Sequence, residues 1–254
     1  MSLNLTALRL QAIEALNSHP TIAALCPGRV YDSRVGDFDQ REPVPVIIVT
    51  SEELEGDALS HNNGGLPFRD MCDLVLEVAM NVLDGDGDDA FIGAPATDRE
   101  MEASLNLISW CAEQMLTTGR PYPLARPTPA GLILTRAVTR RVHRRRMTRF
   151  ANDQTGEKLA IHLITYRVEV KTETPDARAL PTGTYAALPD PLRTVCAAAT
   201  DPSAQQVCRM LAAAVALPTL VPLQTGTFDP AKAPADPPPG AQPPDLTFPF
   251  PGDA

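Results

Sequence analysis

The sequence predicts an α+β fold: a mainly antiparallel sheet with helices packed on one face, a long basic β-hairpin and an extended Pro-rich C-terminal arm. Three observations carry this expectation. Residues 73–83 alternate, with Leu74, Leu76, Val78, Met80 and Val82 on one face and Glu77 and Asn81 on the other, the period of a half-buried strand. Two segments, 4–17 and 98–118, repeat apolar residues at helical spacing. Residues 132–143 and 158–171 are two more alternating runs, and between them Asn152-Asp153-Gln154-Thr155-Gly156 supplies turn chemistry for an antiparallel hairpin.

Taken in order, the first helix carries Leu5, Leu8, Ala12 and Leu16 with Arg9, Gln11 and Glu14 between them, and Asn4 or Thr6 can cap its start. His19-Pro20 ends it, residues 21–25 form one further short turn, and Pro27-Gly28 breaks the chain again. Arg29-Val30-Tyr31 reads as a short strand. Residues 44–50, Val-Pro-Val-Ile-Ile-Val-Thr, form another, with Pro45 restricting its start to an edge or to a point before ladder pairing begins. The stretch from Glu52 to Asp70 is too poor in hydrophobic residues to be packed and reads, around Asn62-Asn63-Gly64-Gly65, equally as a flexible loop that becomes ordered against a neighbouring subunit or tube protein and as a surface hairpin tip. After the strand at 73–83 comes an acidic turn, Asp84 to Asp89. The second helix then places Met101, Leu105, Ile108 and Met115 inward and leaves Glu102 and Glu113 exposed. Residues 120–129 hold four prolines and read as an extended connection. The hairpin follows, with Leu132, Leu134, Val138 and Val142 along one side of its first strand. Its second strand places Ala160, His162, Ile164, Tyr166, Val168 and Val170 on one face. Leu8, Leu16, Leu105 and Ile108 are expected to cover the apolar side of the 73–83 strand, with Leu134 and Ile164 or Leu163 extending that layer.

The composition is not uniform along the 254 residues. Of 26 prolines, 16 lie in residues 175–254. The expected division is therefore a domain over 1–174 and a Pro-rich extension over 175–254 with one helix at 203–217, its last part, 228–254, being too thin in apolar residues for a core. No run of 18 apolar residues occurs, so no membrane span is expected. Met1-Ser2-Leu3-Asn4-Leu5 lacks the basic start of a secretory signal. Cys26, Cys72, Cys111, Cys196 and Cys208 are odd in number and widely spaced, which reads as reduced, mostly buried thiols and not as a metal set.

Charge is where the sequence departs furthest from the ordinary. Between Glu113 and Asp153 there is no acidic residue, while nine arginines occur, including Arg120 and Arg126 in the connection and Arg136, Arg140, Arg141, Arg144, Arg145, Arg146 and Arg149 in the hairpin. Setting those nine aside leaves 13 basic against 31 acidic residues in a chain of net charge −9. A molecule so polarised suits oriented contact with charged neighbours or a polyanion.

The order of segments resembles a known family. The N-terminal helix, the run Pro20-Thr-Ile-Ala-Ala-Leu-Cys-Pro-Gly28-Arg29-Val30-Tyr31-Asp32, the proline-led strand Pro45-Val-Ile-Ile-Val, the strand-turn-helix over 73–118 and the basic hairpin ending Ile164-Thr-Tyr166-Arg167-Val-Glu-Val resemble the tail terminator, or tail completion, proteins of tailed bacteriophages and related gene-transfer particles. The resemblance covers about residues 4–172. It implies a structural virion protein, made in the host cytoplasm, that forms a ring, commonly of six subunits. Such a ring caps the tail tube and offers its other face to the neck of the capsid. The implied partners are other copies of the chain, the tail tube protein and a head-tail connector or neck protein, with DNA passing through the lumen. Another head-to-tail connector protein is the alternative. A nucleic-acid-binding module is a third reading, which the acidic balance outside the arginine band opposes.

Catalytic and metal signals are weak. Asp84, Asp86 and Asp88 take calcium-loop positions 1, 3 and 5, but Asp89 and Pro95 stand where such a loop needs Gly and Glu. No HExxH, GxSxG or GxxxxGK[ST] pattern occurs and the four histidines are scattered, so neither enzyme activity nor a cofactor is expected. His162 reads as a packed or interface residue. On a regular strand Arg136, Arg140, Arg144 and Arg146 point one way and Arg141, Arg145 and Arg149 the other. Both faces cannot be buried, so the band is expected to project as a hairpin arm from about residue 140. Acidic protein surface, DNA in a ring lumen and plain solvent all remain open as its surroundings. The C-terminal arm is expected to lie along a neighbouring protein, anchored by Phe248 and Phe250.

Overall fold

The computed structural model describes residues 3–33, 44–59, 68–83, 98–123, 126–152, 157–171 and 182–216. The fold is α+β. Five strands, β1 (Val30–Asp32), β2 (Val46–Ala58), β3 (Phe68–Leu83), β4 (Thr139–Asn152) and β5 (Glu157–Val170), form one sheet in the order β1-β2-β3-β5-β4. All neighbours are antiparallel except β1, which runs parallel to β2. Among the described residues six α-helices accompany it: α1 (Leu3–Asn17), α2 (Pro20–Leu25), α3 (Asp98–Thr118), α4 (Pro129–Ile133), α5 (Leu192–Ala198) and α6 (Pro202–Ala216).

Hydrophobic periodicity explains the central layer. Leu74, Leu76, Val78 and Met80 of β3 are buried with Ile47 and Val49 of β2 and Ile164, Tyr166 and Val168 of β5. Register joins them in rows, such as Val49–Leu76–Ile164. Helices α1 and α3 cover this face, so Leu8, Leu16, Leu105, Ile108 and Leu134 enter the same core. Ile164, not Leu163, extends the layer, because Leu163 pairs with Glu77 on the opposite face. Helix α1 packs against β1, β2, α3, α4 and α5, and its buried Gln11 is satisfied by donating to the Ala130 carbonyl at 2.9 Å. Arg9 ties the helix to the sheet through Asp32 at 2.7 Å and Ser51 at 2.9 Å.

Several expectations are corrected. Strand β2 continues through Glu52–Glu55 to Ala58, and β3 starts at Phe68, where a polar loop was expected. Each lends the other a backbone ladder, and a ladder needs no apolar side chains. The Asn62-Gly65 segment and the Asp84-Asp89 turn lie outside the described residues. Residues 132–138 are not strand. Thr128 caps Gly131 N–H at 3.0 Å with Pro129 at the first helical position, giving α4, which passes into a π-helical turn, Leu134–Val138. This helix sits where it does because Gly119, at φ 66° after α3, lies against Gly131, where a Cβ would come within 2.2 Å of the Gly119 carbonyl oxygen.

The first compact unit runs from Met1 to Leu217 and not to about residue 174. Leu188, Leu192 and Val195 belong to its core, and α5 packs on α1. Glu14 of α1 receives Thr200 N–H at 2.7 Å and Asp201 N–H at 2.8 Å, fixing the start of α6. Not all cysteines are reduced thiols: Cys196 and Cys208 form a disulfide between α5 and α6, which bring their Cα atoms to 5.5 Å. Cys26, Cys72 and Cys111 are free and buried, and burial pushes the Cys26 and Cys72 thiols up to about 12.

Candidate functional site

The arginine band lies on β4, an edge strand of the sheet. It is not a projecting arm, since β5 is laddered to β3 from Glu157 to Glu169 and carries β4 along its other side. Arg136 is off the strand altogether, exposed on the π-helical turn.

Two register shifts, between Thr139 and Arg141 and between Val142 and Arg144, break the simple alternation. A bulged strand presents an extra residue and reverses the side on which later ones fall. Val142 faces Val168 and the core, whereas Arg141, Arg144 and Arg146 stand opposite Glu169, Arg167 and Thr165 on the face opposite α1 and α3, which no described helix covers. Arg141 therefore sides with Arg144 and Arg146 and not, as strict alternation requires, with Arg145 and Arg149.

Those last two turn towards α3. Arg145 pairs with Glu113, and Arg149 donates to Glu102 at 2.7 Å. Glu102 and Glu113 are eleven residues apart, which is about three helical turns and so a single helix face. Arg149 and then His162 hold the Glu102 carboxyl below its ordinary value by donating to it. His162 of β5, the register neighbour of Arg149, is fully buried, 3.3 Å from Glu102 Oε1 through Nε2 and 3.1 Å from Ser109 Oγ through Nδ1. This set has the residue types of a hydrolytic triad but not its proton arrangement. The Ser109 hydroxyl donates to the Leu105 carbonyl at 2.7 Å, so its single proton is directed at that carbonyl and away from His162.

On the uncovered face the structure collects charges that sequence reading left apart. Buried Glu169 of β5 receives both Arg69 Nε at 2.9 Å and Arg69 Nη2 at 3.0 Å, stands 3.0 Å from His143 and 3.4 Å from Arg140, and joins β3, β5 and β4. Arg69 above all, then His143 and Arg140, lower its carboxyl to about 2 against the opposing effect of burial. Beside it Arg167 donates to Asp73 at 3.1 Å and pairs with Glu55. The lone acid between Val168 and Val170 was the available signal for this cluster; its partners are too distant in sequence to be read.

Arg141, Arg144 and Arg146 are exposed and make no ion pair with another described residue. Between the end of α3, the π-helical turn and the start of β4 lies an open cleft of about 390 Å³ bordered by Arg140, Arg141, Arg144 and Arg145. Among the described residues no group of His, Cys, Asp and Glu is arranged to hold a metal ion, and no helix is long and apolar enough to cross a membrane. Phe248 and Phe250 lie outside the described residues.

No protein-family model matches this sequence, and no curated protein matches it. Among solved structures, a chain from the virion of a native gene transfer agent particle is similar at 15% identity, with a TM-score of 0.34, over 62% of this chain and 91% of that one.

Proposed function

We propose that the protein is a virion structural protein without chemistry of its own, a ring-forming tail terminator that caps the tube and joins it to the neck of the capsid. The observation that carries this reading is the charged edge strand: a sheet edge open among the described strands, with three arginines that have no ion partner among the described residues, is a surface suited to contact. The order of segments over residues 4–172 supports the family. The proposed partners are further copies of the chain, probed as a hexamer, the tail tube protein and a connector or neck protein. Another head-to-tail connector protein shares every one of these features and is the second reading.

Native mass spectrometry and negative-stain microscopy of the purified full chain test it. Closed rings that bind tube ends are expected. Monomers at assembly concentrations, or rings that bind portal-side proteins and ignore tubes, would discard the terminator role. The arginine-bordered cleft favours one variation, in which the band faces DNA in the lumen. Binding of short duplex DNA by assembled rings, weakening steeply with salt and lost in Arg141→Ala/Arg144→Ala, is its expected signature.

A further inference from the structure

The sheet has two open edges of opposite charge. One is β4, with Arg144, Arg145, Arg146 and Arg149 along it. The other is the far half of β2, because β1 pairs only with Ile47–Val49 and leaves residues 50–58, laddered to β3 on one side, without a described strand on the other. That half carries Glu52, Glu53, Glu55 and Asp57, all exposed. Charges on an edge commonly guard it against pairing with another copy. Guards of one sign on both edges would repel copies, whereas acid on one edge and base on the other draws them together.

We propose that copies of this chain join edge to edge, β4 of one subunit pairing with residues 50–58 of β2 in the next, so that the sheet continues around the ring. This rests on the ring reading above and names its contact. Strand direction permits it: β2 and β5 run one way and β3 and β4 the other, so β4 of one copy meets β2 of the next in the antiparallel sense already used through the sheet. The contact is heterologous, with different surfaces on the two sides, as a cyclic ring requires.

The register follows from β1. Within one copy Arg146, Thr165, Val75 and Thr50 form a row. An incoming β4 held at that level runs into β1, so it slides towards Ala58. The slide is by an even number of residues, since an odd one turns every side chain to the wrong face. A slide of four sets Arg146 opposite Glu55 and Arg144 opposite Asp57, all on the face opposite α1 and α3, with the β2 irregularity between Glu52 and Glu55 counted as one position; β4 then clears β1 as far as Phe150, and only Ala151 and Asn152, level with Val49 and Ile48, must leave the edge. The same register brings Met147, 41% exposed, beside Leu54, 37% exposed. Two arginines with no ion partner among the described residues and two solvent-facing apolar side chains are thus matched by one offset.

Charge exchange and cross-linking test this on the full chain. Arg144→Asp and Asp57→Arg, each alone, should raise the concentration for half-assembly roughly ten-fold or more, and the two together should bring it back to within about three-fold of the unaltered protein. Arg144→Cys with Asp57→Cys should give, on mild oxidation, a ladder of covalent multimers lost on reduction. Arg144→Cys with Glu52→Cys, several positions out of register, should not. The three free native cysteines are buried and do not compete. Rings by native mass with neither charge rescue nor a ladder overturn the edge contact and leave the ring standing. Monomers at every concentration overturn the ring, and this contact with it.

Discussion

The two faces of the sheet are built on different principles. The face under α1 and α3 is apolar and closed, with Leu76, Val78, Ile47 and Leu105 all without solvent exposure, and its polar exception, His162, is held between Ser109 and Glu102. The other face lies outside that core and is divided: one part is organised by charge, through Glu169 with Arg69 and through Asp73 and Glu55 with Arg167, while in another part Val46, Ile48, Val75 and Ala79 are buried. Closed packing stabilises a chain by removing area from water without regard to partner, while charge on an open face contributes little to folding and much to recognition. The arginine strand sits on the boundary: Arg145 and Arg149 turn inward to acids of α3, and Arg141, Arg144 and Arg146 turn outward with no ion partner among the described residues.

The contrast is open to attack at four points. The largest effect belongs to the closed face, where Leu76→Ala should cost about 2–5 kcal/mol, measured by urea unfolding; a cost under about 1 kcal/mol would show that the layer is loosely packed. Next is Glu169, the buried carboxylate of the charged face among the described residues. Glu169→Gln should cost about 1–3 kcal/mol at neutral pH. Its folded carboxyl is lowered to about 2 from an ordinary 4.5. The stabilisation is therefore fully present above about pH 4.5 and fades as pH falls towards 2. In the Gln variant, the unfolding midpoint should fall less between pH 5 and pH 3 than in the unaltered chain. An identical fall would assign the acid sensitivity to other carboxylates.

Smaller effects sharpen the comparison. Arg149→Ala breaks a half-exposed pair with Glu102 and should cost about 0.2–1 kcal/mol. Loss beyond 2 kcal/mol would mean that Arg149 holds the Glu102–His162 arrangement and belongs with the closed face. Glu77→Ala, on the open face one residue from Leu76, should cost less than about 0.5 kcal/mol in the thermal midpoint of the isolated chain. Should it prove as harmful as Leu76→Ala, the uncovered face is doing packing and the division fails.

The elements with strong periodicity were legible because one covering layer suffices to specify them. Residues 4–17, 73–83 and 98–118 fold as read, since a stripe of leucines at helical spacing or an alternating strand has few other ways to bury itself. Leu132 to Val138 misled because Leu134 and Val138, four apart, satisfy a helical period as well as an alternating one. The Thr128-Pro129 pair was the overlooked sign of a helix start. Residues 52–58 were missed for the opposite reason: their strand is held by β3's backbone, and backbone bonds leave no mark in side-chain pattern.

Within the arginine band, the sequence by itself determined composition and place: seven arginines around one hairpin strand, no acid among them, and an acidic remainder elsewhere in the chain. It also determined the apolar layer under that strand, because hydrophobic burial depends on local spacing. Tertiary structure alone decided which arginines are engaged. Two bulges in β4 reset its alternation, the eleven-residue spacing of Glu102 and Glu113 met Arg149 and Arg145 only once α3 crossed the sheet, and β1 stopped short of residues 50–58. Ion pairing and open edges are properties of distances between segments remote in sequence, and those distances exist only after the core has set them.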